Sequence, residues 1–286
     1  MLVPAVVLTI IFQYIPMGGI VMAFQDFKPW YSIFNSPWVG WKNFERLFSQ
    51  PDSIQVLWNT LIIAVMKIIA GLIAPFLFAL MLNEVRNALF KRSVQTLVYL
   101  PHFLSWVVLG GIMIDMLSTE GGIINKAIMW LFGLDPIFFL GNGDWFRVTV
   151  VVSHVWKEFG FGTIVFLASL AGVNPALYEA ALMDGANRWK QTIHITVPAM
   201  MPITIVLATL ALGSVLNAGF DQIFNLYNPL VYDKGDIIDT FVYRVAIVNT
   251  NMGFGTAVGV FKSVVGFFLI IVAYRLAYRY AGYRIF

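Results

Sequence analysis

The sequence predicts an all-α integral membrane protein, a bundle of six spanning helices, and three observations carry that expectation. Hydrophobic residues make up 59% of the 286 positions and charged residues only 12%, with a mean hydropathy of +0.80. Soluble domains carry about 25% charged residues, so lipid has to serve as part of the solvent. The apolar residues fall in long continuous runs; residues 191–220 hold no Asp, Glu, Lys or Arg at all. In lipid the backbone must pair within its own segment, which selects helices. Runs of this length also lack the alternation of membrane strands.

A helix crosses the hydrocarbon with about 20 apolar residues. Six segments meet that length: 2–24, 56–82, 94–117, 146–172, 197–220 and 252–276. The first lacks the basic lead and small-residue cleavage site of a signal peptide, and a short cytoplasmic lead is expected to precede it. The chain reads as one membrane domain, 1–286, without internal repeats.

Topology follows from the density of Lys and Arg. The compact connections 83–93 (Arg86, Lys91, Arg92) and 173–196 (Arg188, Lys190) and the C-terminus (Arg275, Arg279, Arg284) are the denser set. Connections 25–55, 118–145 and 221–251 are longer, and hold Lys28, Lys42, Arg46, Lys126, Lys234 and Arg244. The first set is therefore expected on the cytoplasmic side, with both termini. Trp30, Tyr31, Trp38, Trp41 and Phe44, then Phe138, Phe139, Trp145 and Phe146, suit the membrane–water interface in short helices lying flat.

Charge and composition exclude several classes. The net charge is +3 and the pI near 9.0, yet the 18 Lys and Arg are dispersed, with no basic face to follow a nucleic-acid backbone. There is no cysteine, hence no disulfide, thiolate nucleophile or Cys-based metal site. His102, His154 and His194 are the only histidines, and no H-E-x-x-H or G-x-S-x-G accompanies them. Neither a catalytic residue nor a metal site is expected. The phosphate-loop pattern G-x-x-x-x-G-K-[ST] is also missing, so ATP is not bound through that motif.

The most informative stretch is 173–196, between the fourth and fifth spans. Asn174 is a good N-cap and Pro175 suits the first helical position. Residues 176–183 favour a short helix, and Asp184-Gly185 is a turn dipeptide whose glycine ends helices in the left-handed conformation. A second amphipathic helix from about Asn187 leads to Pro198, where the next span begins. Small residues at 180, 181, 185 and 186 allow another surface to approach closely.

This stretch, with Glu179-Ala180-Ala181, Asp184-Gly185-Ala186, Ile193 and Pro198, resembles the EAA signature of permease subunits of binding-protein-dependent ABC importers. Asn59-Thr60-Leu61, Tyr99-Leu-Pro-His-Phe-Leu-Ser-Trp106 and Trp156-Lys-Glu-Phe-Gly-Phe-Gly162 are similar to the carbohydrate-uptake branch, to permeases for aldouronate and alginate oligosaccharides. The resemblance implies a type I importer fold of six helices in the bacterial cytoplasmic membrane. It also implies a second, related permease, two ATPase subunits carrying ATP and Mg, and an extracytoplasmic solute-binding protein that delivers the oligosaccharide. Glu179, Ala180, Ala181, Asp184 and Gly185 would then form the contact set seated on the ATPase.

For the cargo path, ionisable residues at membrane depth are costly and face a cavity or a partner. Lys67, Lys157 and Lys262 each fall near the midplane of a predicted span, with Glu158 the one acid at comparable depth. That positive excess suits an anionic cargo; pairing of these lysines with carboxylates of the partner permease is the competing expectation. Asn59, Trp156, Asn217 and Asp221 are further path candidates, since sugars favour aromatic faces and amide or carboxylate partners. Asn217 and Asp221, four apart, share a face if the fifth span reaches them. The rival reading is an ion-gradient-driven secondary transporter, which calls for inverted repeats and matched interruptions. Gly71 and Pro75 interrupt the second span without a counterpart in the other half.

Overall fold

The structure is a computed structural model that describes residues 2–281; Arg284, assigned above to the basic C-terminus, lies outside the described residues. Five helices are long and apolar enough to cross a membrane, and a bent pair supplies a sixth span. In chain order the elements are α1 (Val3–Phe24), α2 (Lys42–Ser49), α3 (Pro51–Glu84), α4 (Ala88–Phe103), α5 (Trp106–Leu117) and α6 (Ile123–Phe132). There follow α7 (Gly143–Ala171), α8 (Pro175–Met183), α9 (Arg188–Gly213), α10 (Phe220–Leu226), α11 (Ile238–Val242) and α12 (Met252–Ala281). The only extended pairing among the described residues is an isolated bridge between Gln25 and Trp38.

Local signals set the helix starts. Pro51 opens α3 with Asp52 in its first turn, which suits the N-terminal end of a helix dipole. The Asn87 side chain accepts from the Leu89 and Phe90 amides at the start of α4, and Asn142 does the same for Asp144 and Trp145 in α7. Three widened π-turns are present among the described residues, and two of them, Ile10–Tyr14 and Thr192–Thr196, precede a proline. Each of these two holds the carbonyl four residues before a proline, Pro16 and Pro198, where a regular turn would drive the ring into that oxygen.

Four expectations are corrected here. The third span is not one straight rod: α4 and α5 meet at 101°. Pro101 has no N–H to continue the ladder, residues Leu100–Phe103 tighten into a 3₁₀ turn, and Ser105 caps a new helix through the Val108 amide. The fifth span stops at Gly213 rather than 220, and 214–219 is an irregular turn with Gly219 at φ +95°. Asn217 therefore lies in that turn and Asp221 on α10, so they share no helix face. The second helix after 187 is no separate piece either, since it runs on into the span as α9. Gly71 and Pro75 leave α3 continuous.

The packing has two apolar centres. The larger joins Val56, Ile63, Phe146, Val150, Ile223 and Phe254, with Ile237 and Ile238 from the segment before α12. The smaller, towards the α7–α8 end, joins Ala79, Phe166, Leu170 and Met200. The α4 and α7 backbones touch at Gly160, where a Cβ would sit 2.4 Å from the Val98 oxygen. Only glycine permits that approach.

Candidate functional site

Two regions carry the functional candidates: an elbow formed by α8 and the start of α9, and a polar set inside the bundle.

The elbow is built almost entirely from neighbours in sequence. The Asn174 side chain accepts from the Ala176 amide at 3.0 Å, and Pro175 occupies the first turn. The helix closes on Gly185 at φ +74°. The Ala186 amide donates to Ala181 O at 2.8 Å and the Gly185 amide to Leu182 O at 3.0 Å, which is the paired pattern of a Schellman stop. Asn187 then caps the next helix through the Lys190 amide, and the Gln191 amide nitrogen bonds back to Ala186 O. Two side chains tie this unit to the spans. Tyr178 Oη lies 3.0 Å from Thr196 Oγ1, and Arg188 pairs with Glu84 at the end of α3 at 2.7 Å.

The outer surface of the elbow is open and mixes large apolar side chains with charged ones. Leu177, Leu182 and Met183 are 52%, 63% and 88% exposed, and Trp189 71%. Glu179, Ala180, Asp184 and Gly185 are exposed and Ala181 is half-buried. A Cβ at Gly185 would meet nothing within 4 Å, so the chain itself leaves room there.

Inside the bundle, each lysine expected at depth is engaged within its own chain. Lys157 Nζ donates to His102 O at 2.5 Å, the carbonyl exposed by the α4–α5 bend, and lies 3.5 Å from Glu158. Glu158 in turn meets His102 Nδ1 at 2.7 Å, and the His102 ring stacks on Phe161 at 4.1 Å. Lys262 meets Asp239 at 2.5 Å, so Glu158 is not alone as the sequence reading had it. The 221–251 connection holds α11 and folds back against α12, which brings that carboxylate in. Lys67 Nζ donates to Ala218 O at 2.6 Å and Gln222 Oε1 at 2.5 Å. Gln222 passes the chain on to Val150 O and Ser153 Oγ at 2.8 Å each.

The remaining candidates separate. Asn59 is buried and belongs to a clamp at the loop-rich end. It accepts from Arg147 Nη2 at 2.5 Å and donates to Asp233 O at 3.0 Å, while Arg147 Nε reaches Lys234 O at 2.8 Å. Trp156 is 46% exposed and lines an apolar cavity with Leu104 and Met113. Asn217 and Lys67 line one cavity together, with His154; Asp221 does not line it. Sequence reasoning missed Arg147, Gln222 and Asp239. Their partners lie 88, 155 and 23 residues away, and no local pattern announces them.

The clamp continues through Asp236. Its buried carboxylate pairs with Arg244 at 2.5 Å and accepts from Thr240 at 2.7 Å, with Arg244 over the Tyr232 ring at 4.3 Å. Burial holds the Asp236 carboxyl above the usual carboxylate range, and Arg244 and Thr240 pull it part of the way back.

Comparison with known proteins agrees with this geometry. Residues 67–282 match the family of binding-protein-dependent transport system inner membrane components. The polygalacturonan/rhamnogalacturonan transport system permease protein YteP of Bacillus subtilis (strain 168) is 43% identical over 280 residues, 98% of this chain and 87% of that one. A crystal structure of a bacterial ABC transporter that imports the acidic polysaccharide alginate contains a chain that superposes with a TM-score of 0.90. That chain is 38% identical, the match covering 98% of this chain and 94% of the other. A bacterial alginate ABC transporter in complex with alginate pentasaccharide-bound periplasmic protein gives 0.89 at 37% identity, covering 98% and 93%. With the six-span bundle and the matched elbow, the chain belongs to the binding-protein-dependent transport system inner membrane component family, the membrane permeases of ABC importers.

Proposed function

We propose that this chain is one of two related permease subunits of an ATP-driven importer of acidic, uronate-containing oligosaccharides. The carrying observation is the elbow: a self-contained, capped helix–turn unit with exposed apolar side chains, bonded to the ends of the second and fifth spans. Exposed clusters of this kind mark surfaces that dock on other proteins. We place the elbow on the cytoplasmic face, seated on one of two ATPase subunits that hold ATP and Mg, with Glu179, Ala180, Ala181, Asp184 and Gly185 at the contact.

When the ATPase subunits close on ATP, the elbow moves with them, and Tyr178–Thr196 and Arg188–Glu84 carry the displacement into α9 and α3. The permease switches between two packings, as a difference in ATP affinity between those states requires. A solute-binding protein delivers cargo at the opposite, loop-rich end. The acidic cargo is supported by the permease for polygalacturonan/rhamnogalacturonan and by the alginate importers to which the chain is similar.

Gly185 supplies the test. In reconstituted vesicles holding the complete importer, Gly185→Asn keeps the left-handed turn and is expected to retain uptake within about twofold. Gly185→Trp fills the open space at the contact and is expected to lower ATP-driven uptake by roughly 30-fold or more, the scale of a lost hot spot, with membrane insertion intact. Full uptake by Gly185→Trp, or uptake driven by an ion gradient without ATP, would contradict the proposal.

A further inference from the structure

A cavity of about 380 Å³ lies between α3, α7, α9 and the 214–219 turn, lined among others by Lys67, Gly71, His154, Phe166, Asn217 and Gly219. Its size falls within the roughly 300–1,000 Å³ of ligand sites. Lys67 is the one lysine or arginine in its wall, and no lining residue is Asp or Glu.

The three deep lysines differ in how their charge is met. Lys157 and Lys262 each reach a carboxylate of this chain. Lys67, 6% exposed, reaches only neutral acceptors, Ala218 O and Gln222 Oε1. An ammonium has three donors, so one stays unassigned after those two bonds. A buried charge is normally paired. Around the same space the His154 ring and the Asn217 amide make no hydrogen bond among the described residues, and both offer groups to hydroxyls. Gly219 keeps the ammonium clear, since a Cβ there would stand 3.0 Å from Lys67 Nζ. Leu72 and Leu207, both half-buried, line the same space and give an apolar wall against which a sugar ring can lie.

We infer that this cavity is a subsite for the carboxylate of a uronate residue in transit, with Lys67 as its counter-ion and His154 and Asn217 as hydroxyl partners. The inference rests on the acidic-oligosaccharide reading above and assigns it to a place within this one permease. A carboxylate at Lys67 completes the third donor and cancels the buried charge. The neutral methyl ester of the same sugar does neither, so the site discriminates between them.

The test uses the complete importer in proteoliposomes, with ATP inside, and measures uptake of trigalacturonate and of its methyl ester. Lys67→Met removes the counter-ion. Asn217→Asp, in an exposed turn residue whose side chain holds no bond, puts a competing carboxylate in the wall of the cavity that Lys67 also lines. Each is expected to lower the acid-to-ester uptake ratio by about tenfold, the scale of one hydrogen bond to a charged group. A ratio that stays at the wild-type value in both variants overturns the subsite and leaves the acidic-cargo reading standing. Wild-type importer that takes up neither compound overturns both.

Discussion

The elbow and the clamp sit at opposite ends of the bundle and solve opposite problems. In the clamp, Asn59, Arg147, Asp236, Thr240 and Arg244 come from three separate stretches of chain, around 59, 147 and 233–244, and little is offered to the outside. In the elbow nearly every bond is between residues within six positions, and the apolar side chains of Leu177, Leu182 and Met183 point away from the fold. The buried polar bonds of the clamp favour one arrangement, although Arg244 Nη1 is left without a hydrogen-bond partner. Exposed apolar clusters on a rigid support are suited to engaging a second surface. The difference teaches that one end of the spans is tied together by buried polar bonds, while the other carries a locally built unit with exposed apolar side chains.

Removing charges sharpens that comparison, and the largest effect is expected in the clamp. Arg244→Met leaves the Asp236 carboxylate buried without its cation, which costs about 3 kcal/mol and should show as a lower melting temperature of detergent-solubilised protein at neutral pH. The pH course follows from the direction of the Asp236 shift. A native pKa above the unfolded one means that the folded chain holds the proton longer, so its stabilising share is complete in acid. That share is lost as pH rises through the raised value. Without Arg244 the native pKa rises further, so the variant should converge on wild type at low pH. A melting difference that is constant with pH would break this account.

A smaller effect is expected at the elbow. Arg188 and Glu84 form their pair with side chains 57% and 42% exposed, so Arg188→Met should cost at most a few tenths of a kcal/mol after solvent screening. Its expected signature is functional: melting stays within error of wild type while uptake per ATP hydrolysed falls about twofold, because one of two ties between elbow and spans is gone. Equal losses in melting temperature for Arg188→Met and Arg244→Met would erase the distinction between the two ends.

The same contrast explains what could be read from the sequence. The caps and stop of the first elbow helix were legible, because Asn174, Pro175 and Gly185 act through backbone groups one to five positions away, whereas the continuation of the helix after Asn187 into the fifth span was not. The spans were legible from apolar runs, with boundaries set elsewhere by caps at Asn142 and Ser105. The bend at Leu100–Phe103 was hidden inside an apolar run that passes any length test, although Pro101 stood in it. The end of α9 was hidden because residues 214–219 carry no charge to close the apolar run, and the return of α11 because a short helix holding Asp239 within a connection gives no local sign of what it packs against. Lys67, Lys157 and Lys262 stood out as costly charges, but their partners Gln222, His102 and Asp239 come from other elements. Only the tertiary packing separates the lysine without a carboxylate from the two that have one.

The absence of cysteine from this sequence makes the central claim directly measurable. A single Ala180→Cys, carried on the exposed face of the elbow, can be cross-linked within the assembled importer with a bifunctional thiol–amine reagent. The account predicts a product containing this chain and an ATPase subunit, whose yield changes when ATP is added. A product with the solute-binding protein, or none with any subunit in an importer that still transports, would contradict it.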